Sequence, residues 1–246
     1  MRRPDTARYA AEECVWERLS VECLTVALTV AGRLIRDPIE IWQDYASRTR
    51  TLHKYDLADA GDPAILVESE VARTRIIASR VSRKECAFLL QRAVDAPWGC
   101  VSGDADLTSA DPAHRGGLFD NAAALYWHFT TPRQAGIGAA KIHKMLHVKR
   151  PWLYPVLDQL VRSLYRAQAR AWLIRIPGTR PGDSVTFWAA IRQDLVDEDN
   201  RSALSRHREE LRKGPQTAPM TELPSLRLLD ILAWETARRD RYPGHV

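Results

Sequence analysis

The sequence predicts an all-α protein built as a bilobal helical bundle, and three observations carry that expectation. Apolar residues recur at the three- and four-residue spacing of a helix face through most of the 246 residues. Prolines, glycines and a capping box punctuate these runs where helices should begin and end. Strand-like alternation is confined to residues 64–67. The expected organisation is one all-α domain over residues 1–246 with room for two lobes, a C-terminal helical segment over 184–246, and no internal repeat.

In chain order, residues 6–36 carry Leu19, Cys23, Val26 and Val30 at helical spacing and end at Asp37-Pro38, so one long helix or two is expected. Pro38 suits the first turn of the next helix, whose buried stripe is Ile39, Trp42, Tyr45 and Ala46. After a turn-rich stretch at 59–63, residues 68–79 read as helix, with Val71, Ile76 and Ile77 apolar and Arg73, Arg75 and Arg80 exposed. Ser82 and Glu85 form an S-x-x-E capping box for a helix through Ala93. Residues 97–117 are loop, and the acids Asp104, Asp106 and Asp111 lack calcium-loop spacing. Phe119, Ala122, Leu125, Tyr126 and Phe129 line one face of a helix over 119–130, with Trp127 and His128 off that face. Residues 139–147 and 158–173 are expected to be helical. In the second of these, Val161, Leu164 and Ala171 point inward, and Arg162, Arg166 and Arg170 form an exposed row that is either a solvated face or a track for phosphates. The PGTRPG run at 177–182 precedes helices over 184–195 and 199–212, and 213–224 reads as a linker. Leu226, Leu229, Leu232 and Ala233 give the last helix, 225–239, its inward face.

With 45% hydrophobic content the chain can bury a full core. Thirty-six Lys and Arg against 31 Asp and Glu leave a net charge of +5, a mild basicity that fits a nucleic-acid partner without establishing one. Cys14, Cys23, Cys86 and Cys100 form no C-x-x-C pair and no signal peptide precedes them, so they read as reduced core thiols of a cytoplasmic protein. The most apolar run, 21–35, contains Glu22, Gly32 and Arg33 and falls short of the roughly 20 apolar residues that span a bilayer. No membrane association is expected.

Residues 136–158 (GIGAAKIHKMLHVKRPWLYPVLD) concentrate the chemistry. Gly136 and Gly138 flank Ile137 in a tight turn, and the helix from Ala139 opens with amides that have no intrahelical partner. A helix start of this kind suits an anion, and Lys141 and Lys144 add charge that can neutralise a backbone phosphate. Asp158 follows a loop with Pro151 and Pro155 and immediately precedes a helix, where it is either a helix cap or a carboxylate with chemistry to do. Arg162, one turn on, is placed to pair with it. His143 and His147 have the i, i+4 spacing of helical metal ligands. However, Lys144 stands where a zinc protease has its glutamate and no third ligand is within sequence reach, so no metal is expected. The two histidines are expected to border the basic surface. No phosphate-loop or dinucleotide-loop pattern is present, and no cofactor is expected.

Gly136, Ile137 and Gly138, with Asp158 at the matching distance, resemble the hairpin and catalytic aspartate of the helix-hairpin-helix (HhH-GPD) DNA glycosylases. The stretch 55–162 also resembles an actinobacterial domain family of unknown function. The glycosylase resemblance implies a helix-hairpin-helix over 131–173, with double-stranded DNA as the partner. It also implies a phosphate grip by Gly136, Ile137, Gly138, Ala139, Lys141, Lys144 and Arg162. Asp158 would stabilise the charge that develops as an N-glycosidic bond breaks, and Tyr126, Trp127 or Trp152 would line the pocket for a flipped base. Ala140 occupies the position of the lysine nucleophile in lyase-competent members, which implies a monofunctional enzyme. The four-cysteine iron–sulfur loop of some members has no counterpart. Two other readings stay open, a non-catalytic helix-hairpin-helix module that binds DNA or RNA, and a helical interaction domain in which the hairpin merely turns the chain.

Overall fold

The computed structural model describes residues 26–48 and 50–242. It is mostly helical, with one two-stranded antiparallel sheet among the described residues. The strands are β1 (Leu28–Val30) and β2 (Arg33–Ile35), in register Leu28↔Ile35, Thr29↔Leu34, Val30↔Arg33. A hairpin therefore stands where helix was expected up to residue 36; the earlier part of that stretch, with Leu19, Cys14 and Cys23, lies outside the described residues. Ala31 and Gly32 both have positive φ (53° and 75°), the backbone of a two-residue hairpin turn. Ala31 is an unusual residue there, and it is held on both sides: its amide donates to Asp194 Oδ2 at 2.7 Å, and its carbonyl accepts from Gln168 Nε2. Among the described residues, the outer edge of β1 has no third strand. Asn200 takes that place, accepting from Thr29 N–H at 2.8 Å and donating to Thr29 C=O at 2.8 Å and to Asp194 C=O at 2.8 Å. Residues 64–67 form a turn and extended loop rather than a strand.

α1 (Pro38–Arg48) starts at Pro38 and buries Trp42 fully. A five-residue π-helical turn, Leu52–Asp56, follows. α2 (Glu68–Arg73) tightens into a 3₁₀ turn, Thr74–Ile77, so the helix expected through residue 79 stops earlier. α3 (Arg83–Val94) opens with both bonds of the Ser82–Glu85 capping box, at 3.3 Å and 2.7 Å. α4 (Leu118–Thr130) buries the five residues expected on its inner face, and Trp127 is half exposed. α5 (Ala139–Lys149) leads through a loop to α6 (Gln159–Leu164) and α7 (Arg166–Trp172). The break at Tyr165 replaces the continuous helix expected over 158–173. Val161, Tyr165 and Ala169 are inward, and Ala171 is exposed. α8 (Ser184–Val196), α9 (Glu198–Lys213) and α10 (Ser225–Arg241) complete the order. The stretch between α9 and α10 packs rather than links freely: its 3₁₀ turn, Ala218–Glu222, buries Met220 completely.

α10 runs through the middle, packed on α1, α6, α8 and β1. One continuous hydrophobic core extends from Leu28 to Ala233. Cys86 is buried in it and Cys100 is exposed, so only the first behaves as the core thiol expected of both. No helix among the described residues is long and apolar enough to cross a membrane.

Asn200→Ala leaves partly buried backbone groups of β1 and α8 without these partners. Each orphaned group costs about 1–3 kcal/mol, so the variant should lose on the order of 3 kcal/mol or more in urea unfolding. A loss under about 1 kcal/mol would show that the hairpin does not depend on this side chain.

Candidate active site

The loop between α5 and α6 is fixed from several directions before it reaches Asp158. Arg150 is almost wholly buried and donates to carbonyls, those of Val101 (3.2 and 2.9 Å), Pro63 (2.9 Å) and Lys149 (2.9 Å). His147 Nδ1 donates to Tyr154 C=O at 2.7 Å, and Tyr154 O–H donates to Ala122 C=O at 2.9 Å. The amide of Val156 donates to Asp230 Oδ2 of α10 at 2.7 Å. Asp158 then caps α6, its Oδ1 accepting from the amides of Leu160 (2.9 Å) and Val161 (3.1 Å). Its Oδ2 accepts from Trp234 Nε1 of α10 at 3.1 Å. Three of about four acceptor positions on the carboxylate are thus filled, and one remains.

Asp158 lines a cavity of about 560 Å³. α10 contributes Arg227, Asp230, Ile231, Trp234, Glu235 and Arg238 to its wall, residues spaced i, i+3, i+4, i+7, i+8 and i+11 on one helix face. Tyr45, Ile76, Ile77 and Ala78 also line the cavity. Lys144 of α5 reaches into the same space, its ammonium donating to Ile77 C=O at 2.6 Å. Burial lowers the Lys144 pKa, and the nearby Asp158 charge opposes that shift. At the base of the cavity Arg227 donates to Asp56 Oδ1 (2.6 Å) and Tyr45 Oη (2.9 Å), and Tyr45 O–H donates to Asp56 Oδ2 (2.6 Å). Asp230 is fully buried, and desolvation pushes its carboxyl up to about 7 against the pull of Arg227.

The hairpin is a separate feature. Ile137 N–H donates to Gln134 C=O at 3.1 Å to close a turn, with Gly136 at φ +84°. A Cβ on Gly136 would lie 2.2 Å from Glu85 Oε1, whereas one on Gly138 would meet open space. Gly138 is exposed, and Ala139 and Ala140 are half-buried at the start of α5. Lys141 does not extend toward solvent as a phosphate ligand would; its ammonium binds Glu85 Oε1 at 2.7 Å and holds that carboxyl below the usual carboxylate range. The hairpin residues are not among those lining the cavity, so the structure groups Lys144 with Asp158 and leaves Gly136, Ile137, Gly138, Ala139 and Lys141 as a second cluster.

Arg162 does not pair with Asp158. It donates to Gly182 C=O and to Ser184 Oγ (3.3 Å) and lies over the Phe187 ring at 4.4 Å. Tyr126 is buried against His143 and Trp188 and bonds Ser184 Oγ at 2.9 Å, while Trp127 and Trp152 are about half exposed. None of these three lines the Asp158 cavity, whose aromatic residues are Trp234 and Tyr45. His143 and His147 belong to the core rather than a basic surface. Trp188 Nε1 donates to His143 Nε2 at 2.9 Å, and His147 stacks on Tyr55. Burial pulls both histidines down to about 3. No group of three or more His, Cys, Asp or Glu placed to hold a metal occurs among the described residues. The polar face of α10 escaped the sequence reading. Its signal was the recurrence of Arg227, Asp230, Glu235 and Arg238 beside the Leu226, Leu229, Leu232 stripe, which marks a second face turned toward something polar.

These buried groups give stability opposing pH dependences. Between about pH 4 and pH 7 the folded chain keeps a proton on Asp230 that the unfolded chain has released, so this group's contribution falls as pH rises. The contribution of His143 and His147 is complete above their ordinary value of 6.5 and is lost as pH falls toward 3. Asp230→Asn keeps an acceptor for Val156 N–H, and relative to the unchanged chain it should gain on the order of a few kcal/mol between pH 4 and pH 7. Urea unfolding of both chains across that range checks this; a difference that does not vary with pH would contradict it.

No curated protein and no solved structure matches the chain. Residues 99–237, from the loop before α4 to near the end of α10, match a family model and include Lys144, Asp158 and the polar face of α10. The chain belongs to that family, described as a family of unknown function (DUF6308).

Proposed function

We propose that the chain is a DNA-binding protein of the helix-hairpin-helix glycosylase type that hydrolyses the N-glycosidic bond of a flipped base, with Asp158 as its catalytic carboxylate. The observation that carries this reading is the opening of Asp158 into a cavity of about 560 Å³, within the range of small-ligand sites, while Arg162 is turned elsewhere. As an N-glycosidic bond breaks, the sugar gains positive charge and the base gains negative charge. Asp158 and Lys144 bring opposite charges into one cavity and so match that separation. Fixed by three N–H donors, the carboxylate needs little reorganisation as charge develops, and its remaining acceptor position can take the proton of an attacking water. Trp234, Ile77 and Ile231 supply apolar surface for a base plane.

The hairpin supports the second reading, a non-catalytic helix-hairpin-helix module on DNA or RNA. Gly138 faces open space at the start of an 11-residue helix, so a phosphate can approach its first amides.

Purified protein should leave alkali-labile abasic sites in duplexes that carry damaged or modified bases, and Asp158→Asn should reduce base release by about 10²-fold or more with little change in binding. Duplex binding with no base release across a broad lesion panel would overturn the catalytic reading in favour of the module. With Ala140 at the hairpin lysine position, borohydride should trap no covalent DNA adduct; an adduct that disappears in Lys144→Ala would show lyase chemistry instead. Gly138→Glu should weaken duplex binding, and unchanged binding would remove the hairpin from the interface.

A further inference from the structure

α6 separates two depressions. Asp158 and Leu160 line the cavity already described, whereas Gln159 and Arg162 line a second cleft of about 270 Å³. Arg166 and Arg170 of α7 line that cleft too, and no Asp or Glu is among its described lining residues. Within α7, Arg166 and Arg170 stand four residues apart, about 6 Å at 1.5 Å per residue. At about 3.4 Å per nucleotide of one strand, that matches the spacing of roughly two phosphates.

We propose that this arginine cleft holds the phosphodiester backbone of a nucleic-acid strand. The inference rests on the nucleic-acid reading above and names where the backbone is gripped. Two contrasts support it. At the hairpin the nearest lysine, Lys141, is neutralised by Glu85, so that surface offers amides but little net charge. In the cleft, Arg166 and Arg170 are exposed and make no ion pair among the described residues. Arg162 is held in place by carbonyl, hydroxyl and ring contacts, none of them to a carboxylate. Asp183 acts on Arg162 through space, while its carboxylate accepts from Arg180 N–H at 2.6 Å. Gln159, exposed on α6, adds a neutral donor beside the arginines of the kind that phosphate oxygens accept. Asp158 caps α6, which carries Arg162, so one short helix bears both the candidate carboxylate and the first arginine of the row.

The test uses the full chain and fluorescence anisotropy with a labelled duplex and a labelled single strand over a range of salt. Arg166→Gln/Arg170→Gln removes two exposed charges, and its circular dichroism and unfolding midpoint should match the unchanged chain. The double variant is expected to bind about tenfold or more weakly near 0.1 M salt, with the slope of log affinity against log salt reduced by about 1.8 for the duplex. Unchanged affinity and slope in the double variant, with binding or base release intact in the unchanged chain, would overturn the cleft proposal and leave the Asp158 reading standing. An unchanged chain that binds neither probe would remove the nucleic-acid reading, and the cleft proposal with it. Weakened binding with an unaltered salt slope would also overturn it, because loss of a phosphate contact must release fewer counterions.

Discussion

A guanidinium buried inside a helical protein sets the terms for everything around it. Arg227 sits on the central face of α10, where desolvation alone would be prohibitive, and the chain answers with Asp56 and Tyr45. Meeting that demand requires the π-helical turn that carries Asp56 and the turn of α1 that carries Tyr45 to converge on α10. The cavity wall is the result of this convergence. Its ionisable lining is held by bonds within the fold, which leaves space in the middle rather than a collapsed ion cluster. The neighbouring Asp230 extends the constraint to the loop before α6 through Val156, and Trp234 completes it at Asp158. One helix therefore positions the candidate carboxylate from two sides.

Much of the helical scaffold was legible because its signals are local. Pro38 opens α1, the Ser82–Glu85 box opens α3, and the five-residue stripe of α4 is buried as its period requires. What escaped depends on partners far along the chain. Residues 28–35 satisfy a helical stripe as well as a short strand, and the choice is made by Asn200, which serves as a third strand for Thr29 from 171 residues away. The continuous helix expected after Asp158 breaks at Tyr165, whose hydroxyl is drawn to Asp194 at 2.8 Å.

The candidate site was legible to a similar depth. Spacing alone made Asp158 a cap, and it is one; whether it faced a cavity depended on a C-terminal helix about 70 residues later. The two histidines of α5 were expected at the border of a basic surface, yet that helix is buried along most of its length. Its histidines are consequently core groups and Lys144 points into the cavity. The i, i+4 spacing of His143 and His147 served packing against Tyr126, Trp188 and Tyr55 rather than ligation. Arg162, the residue best placed by sequence to close off Asp158, turned instead to the 180s loop because Gly182 offers a carbonyl and Phe187 a ring.

Glu85 does several things at once. One of its oxygens caps α3 at Ser82, the other holds Lys141 of α5, and the same carboxylate fills the space where any residue but glycine at 136 would place its Cβ. The turn and the two helices beside it are thereby fastened as one rigid unit. A partner docking on this hairpin meets a shape already set, so the entropy of ordering the turn has been lost in folding and does not weaken the association.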